Sequence, residues 1–187
     1  MEEYDEEKNM QQREIKLGIP SYITVESEEG SFIGEQNSSK FEKEDICVEA
    51  NENGEIWLTA DTAPVKTVKL RWNTPIERTS KILGGVWERT YGDAEWKGMS
   101  GTRFMPWYFL ALNEGVVTGY GVKVRPSAMC FWQADTRGIT LVLDVRCGGT
   151  GVVLSGRKLL AAEIVAMRAD DCTSFEAAKA FCRCMCT

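Results

Sequence analysis

The chain has 187 residues, 43% apolar and 27% charged, with a formal net charge of −6 and no histidine. That is ordinary globular composition for little more than one domain, with enough apolar material for a buried core. The missing histidine excludes imidazole general bases, serine–histidine and cysteine–histidine nucleophilic pairs, and zinc sites that need imidazole.

The N-terminal segment 1–14, MEEYDEEKNMQQRE, is acidic where a signal peptide is basic and then apolar, and it reads as a solvated, frayed arm. From Tyr22 onward short β-rich runs alternate with turn residues, placing a β-sandwich domain over 15–172. Residues 45–50 and 55–60 flank Asn51-Glu-Asn-Gly54, whose Asn-Gly pair favours a hairpin connection. Over 65–72 the sequence VKTVKLRW puts Val68, Leu70 and Trp72 on one face, as a half-buried strand requires. The same alternation predicts strands at 107–112, 116–124, 128–134, 139–145 and 159–167. Turn signals at 113–115, 125–127, 137–138 and 148–151 separate them. Turns every 8–12 residues or so indicate an all-β, antiparallel sandwich. The chain closes on a helix: Thr173-Ser-Phe-Glu176 is a capping box, and Phe175, Ala178, Phe181/Cys182 and Met185 give an apolar stripe.

No run approaches the roughly 18 apolar residues of a membrane span. Residues 1–55 carry 16 acids against 5 bases, and the remainder 12 against 17, with the lysines and arginines scattered. Without a concentrated basic patch, neither nucleic acid nor membrane is an expected partner. There are seven cysteines, an odd number, and no Cys-x-x-Cys. Cys47, Cys130 and Cys147 read as small hydrophobes, and Cys182, Cys184 and Cys186 as reduced thiols of a cytoplasmic protein, not a metal site.

Chemistry concentrates in 82–97, ILGGVWERTYGDAEWK, and 103–109, RFMPWYF. Trp87, Tyr91, Trp96, Trp107 and Tyr108 lie near Glu88, Arg89, Asp93 and Glu95. Aromatic platforms beside carboxylates and an arginine suit the C–H faces and hydroxyl rims of a sugar, and the same residues suit core packing between sheets. A glycosidase needs two carboxyls roughly 5–10 Å apart across the scissile bond, and nothing fixes such a distance for Glu88, Asp93 and Glu95. The Gly148–Gly151 cluster lacks the Lys-Ser/Thr of a phosphate loop and is a turn.

W-E-R-T-Y-G-D-A-E-W at 87–96, M-P-W-Y-F at 105–109, G-Y-G-V-K at 119–123, F-W-Q-A-D at 131–135 and L-D-V-R at 143–146 resemble the N-terminal β-sandwich domain of family 36 α-galactosidases (melibiases). S-F-E-A-A-K-A-F-C at 174–182 is similar to the helix that leads into the catalytic barrel of that family, so 173–187 would lead into a barrel missing here. The resemblance spans about residues 65–187. It implies a supersandwich-like fold and retaining hydrolysis of terminal α-galactosides by two aspartates of a (β/α)8 barrel, with no metal or organic cofactor. Neither aspartate maps onto this sequence, so no catalytic residue is expected and the chain alone is predicted to be inactive. The resemblance further implies that the domain packs on its own barrel, forms homo-oligomers at full length and offers an aromatic wall to the sugar. Trp87, Tyr91, Asp93, Trp96 and Trp107 are the candidate substrate-binding residues. A free-standing carbohydrate-binding or regulatory module is the alternative.

Overall fold

A computed structural model describes residues 11–85, 95–146 and 148–186. In chain order the strands are β1 (Gln11–Glu14), β2 (Tyr22–Ser27), β3 (Ser31–Ile33), β4 (Lys40–Lys43), β5 (Ile46–Ala50), β6 (Glu55–Ala60), β7 (Val65–Trp72) and β8 (Lys81–Gly84). They continue with β9 (Lys97–Gly98), β10 (Met105–Pro106), β11 (Tyr108–Asn113), β12 (Val116–Val122), β13 (Met129–Asp135), β14 (Gly138–Asp144) and β15 (Leu159–Asp170), and helix α1 (Ser174–Cys186) follows. One sheet of nine strands runs β4-β5-β6-β15-β12-β11-β8-β9, with β1 also on β15. The other, of six, runs β10-β13-β14-β7-β2-β3. The two pack face to face as an antiparallel sandwich, and the predicted fold class holds.

Each predicted hairpin has a visible local cause. Between β5 and β6, Asn51 Oδ1 accepts the N–H groups of Asn53 and Glu55 at 3.0 Å, and Gly54 sits at φ +83°. Glu114 (φ +48°) and Gly115 (φ +80°) form the two-residue turn joining β11 to β12, a connection whose twist matches that of the strands it joins. Asp135 Oδ1 accepts the N–H groups of Arg137 at 2.8 Å and Gly138 at 3.0 Å, closing β13 onto β14.

Alternate side chains of both sheets meet in one core. At its centre Phe109 stacks on Tyr120 (centroids 5.1 Å apart) and meets Trp132 at 6.0 Å, with Trp72 on the far side of Trp132 at 6.2 Å. Burying such rings supplies most of the drive for sheet packing.

Three boundaries differ from expectation. Residues 11–14, assigned to the arm, pair as β1 with Arg168 and its neighbours, because β15 runs three residues past the predicted 167 and leaves backbone groups there to satisfy. Trp107, placed in a strand, instead occupies the break between β10 and β11. The apolar stripe of α1 is also rotated: Ala177, Ala180, Phe181 and Met185 are buried while Phe175 is 75% exposed. The capping box forms as predicted, Thr173 N–H donating to Glu176 at 2.8 Å and Glu176 N–H to Thr173 Oγ1 at 3.2 Å. The helix folds back on the outer face of the nine-stranded sheet, where Gly119 and Gly121 of β12 make room for Phe181 and Met185.

Candidate functional site

The M-P-W-Y-F segment is where the chain leaves one sheet for the other. Met105 and Pro106 pair with Trp132 and Phe131 in the six-stranded sheet, and Tyr108 onward pairs in the nine-stranded one. Trp107 spans the gap. Its N–H donates to Cys130 O at 3.0 Å and its carbonyl accepts Val122 N–H at 3.1 Å, so each sheet holds one end of it. Meeting both bonds forces Trp107 to φ +68°, a left-handed conformation that costs a side-chain-bearing residue about 1–2 kcal/mol. Gly85 lies directly below and donates its N–H to Tyr108 O at 2.9 Å. A Cβ there would stand 1.9 Å from Pro106 O, so only glycine allows the approach.

The crossover turns the Trp107 side chain outward, where it is 38% exposed. On the same edge Phe104, 52% exposed, meets Phe131 edge-on at 5.1 Å, and Met129 is exposed two residues along the outer face of β13. Phe104 and Phe131 were not singled out from the sequence. The alternation in F-W-Q-A-D could have found Phe131, since with Trp132 inward its neighbour must face out.

Trp96 goes elsewhere, packing half-buried against the cluster that α1 makes with the outer face of the nine-stranded sheet. It takes the packing role that the sequence left open. Tyr108 joins the same cluster, its ring 6.2 Å from Phe181, and burial pushes its hydroxyl above the usual tyrosine range. Trp87, Tyr91 and Asp93, with Glu88 and Arg89, lie outside the described residues. Glu95 is exposed and pairs with Lys97 at 3.5 Å.

Among the described residues no group of three or more metal-ligating side chains converges, and no helix is long and apolar enough to cross a membrane. The six cysteines among the described residues are free thiols; Cys130 is buried, which pushes it up to about 12, and Cys182 and Cys186 are exposed. Polar rows cross the outer face of the six-stranded sheet beside the aromatic edge. Arg71 donates to Thr140 at 3.1 Å and to Asp135 at 2.8 Å, and Lys69 pairs with Glu26 at 2.6 Å. Searches against known families, curated proteins and solved structures find no match to this chain.

Proposed function

We propose that this chain is the non-catalytic β-sandwich portion of an α-galactosidase-like glycoside hydrolase, presenting an aromatic edge to α-galactosides and packing beside a catalytic barrel. The observation that carries this reading is Trp107, an indole turned to solvent on a backbone held in a costly conformation from both sheets. Strain kept by the surrounding structure is a feature of functional sites. The M-P-W-Y-F motif, which contains Trp107, supports the choice of sugar, because its resemblance is to α-galactosidases. One stacked indole contributes about 1 kcal/mol, so the chain by itself binds galactosides no tighter than millimolar.

The test is a tryptophan-fluorescence titration with melibiose and raffinose, comparing wild type with Trp107→Ala. Saturable quenching lost in the variant is the expected result. A signal linear in sugar, or one that Trp107→Ala leaves intact, would overturn the assignment.

One observation favours the free-standing module instead: α1 already buries its apolar stripe on the chain's own sheet. Immunoblotting of source-cell extract separates the two. A band several hundred residues longer supports the hydrolase, and one at 21 kDa supports the module.

A further inference from the structure

At the opposite end of the core from α1's C-terminus, the sandwich opens between the β7–β8 connection and the β11–β12 hairpin. The cavity there is about 350 Å³, near the lower end of small-molecule sites. It exists because the inward row Ala111–Thr118 is small where the next row, Phe109–Tyr120, is aromatic. Tyr120 forms the floor, only 5% exposed, and Ser80 lines the wall at 2%.

Hydrogen bonding sets this cavity apart. Tyr120 Oη, Ser80 Oγ and Thr118 Oγ1 donate to no protein group among the described residues, although two of the three belong to nearly buried side chains. These oxygens open onto the cavity, since Trp132 Nε1 is the buried side-chain polar atom left without a partner among the described residues, and three hydroxyls lining one space can both donate to and accept from a ligand. Charge narrows the class. Arg168 is turned back on Asp170, its Nε and Nη2 both within 3.2 Å of that carboxylate. Glu77 and Glu114 at the mouth have no ion-pair partner among the described residues. An anion is repelled there, while a neutral hydroxyl can donate to Glu77.

We infer that this cavity is a binding site for a neutral polyhydroxylated ligand the size of one sugar ring, seated on Tyr120 and hydrogen-bonded by Tyr120, Ser80, Thr118 and Glu77. It is separate from the Trp107 edge and does not require the galactosidase assignment.

The experiment is a two-dimensional NMR titration of the full chain with D-galactose, D-glucose and myo-inositol, with choline as the cationic control. Amide shifts should saturate around residues 76–80 and 111–120 with at least one of the three neutral probes. Tyr120→Phe and Ser80→Ala each remove one hydroxyl and should weaken binding about tenfold, the effect of one hydrogen bond. Glu77→Gln, on an exposed loop with no folding role, should weaken it several-fold, and Trp107→Ala should leave it unchanged. Saturation by choline alone, no saturation by any neutral probe, or binding that Trp107→Ala abolishes and the cavity variants do not, would each overturn the site. In the last case the galactoside reading survives. Cavity binding with no response to melibiose at Trp107 would keep the site and sink that reading.

Discussion

The seat of α1 can be tested by adding a single methyl group. A Cβ on Gly119 would lie 2.6 Å from Phe181 Cδ2 and 2.8 Å from Leu110 Cδ2, closer than real Cβ contacts come. Phe181 is fully buried and Leu110 nearly so, which leaves neither ring nor leucine room to retreat. Overpacking of this kind costs about 1–3 kcal/mol. Gly→Ala recovers roughly 0.4–1 kcal/mol from the unfolded chain, since Gly119 has no positive φ to lose. At mid-range the net loss for Gly119→Ala is therefore about 1.3 kcal/mol, a fall of about 3–5 °C in Tm for a chain of this size. Gly121→Ala meets the flexible Met185 Sδ at 2.8 Å and the Phe181 ring only at 3.0 Å, so it should cost less than Gly119→Ala. Thermal and urea unfolding followed by near-ultraviolet circular dichroism would measure both. The decisive control is Gly119→Ala in a Phe181→Leu background, where the ring edge is gone and the two changes should couple by at least about 0.5 kcal/mol. Strict additivity, or a Gly119→Ala protein as stable as wild type, would refute the claim that the helix packs here.

Three other outcomes follow from the same geometry. Thr173→Ala removes one half of the capping box and should cost about 1 kcal/mol in urea unfolding, whereas Thr173→Ser should cost a few tenths. Hydrogen bonds from Lys69 and Thr67 hold the Glu26 carboxyl below its usual range, so its contribution is present at neutral pH and lost as pH falls through the acid range; Lys69→Met should flatten the acid limb of a stability–pH profile, and an unchanged limb would count against the pair. Thiol titration should label Cys182 and Cys186 in the native protein and reach Cys130 only in denaturant, because burial holds Cys130 protonated up to about 12.

What could be read from the sequence was local. Period-two alternation located β5, β6, β7 and β11 to β15, and the Asn51 and Asp135 turns and the Thr173 cap carry hydrogen-bonding partners within four residues. Sheet order was not readable: β15 pairs with β6 and β1, and β7 with β14, across separations that leave no local trace. The helix stripe failed for the same reason. The expected and observed stripes share Phe181 and Met185. Ala177 and Ala180 join Leu110, Val117, Met167 and Ala169 of distant strands in the buried cluster, and Phe175 faces out. The Trp107 conformation was equally hidden, since a tryptophan is an unexpected residue at positive φ. The cavity hydroxyls looked like ordinary strand and loop residues until Tyr120, Ser80 and Thr118 were brought together.

The motifs behind the α-galactosidase resemblance also have structural causes sufficient in themselves. In G-Y-G the glycines receive Phe181 and Met185 while Tyr120 stacks on Phe109. In F-W-Q-A-D, Trp132 fills the core and Asp135 both closes a turn and holds Arg71. In L-D-V-R, Asp144 and Arg146 pair with each other at 2.5 Å. Residues engaged in this way report on the fold, and two sandwiches that share them need not share a ligand. Function has to be sought in groups that folding leaves unengaged. Two such sets are the outward indole of Trp107 and the inward hydroxyls of Tyr120, Ser80 and Thr118, at different places in the sandwich and reached by different variants. A sugar that responds to one set and not the other would therefore say which end of the molecule meets its ligand, whatever the protein's kinship.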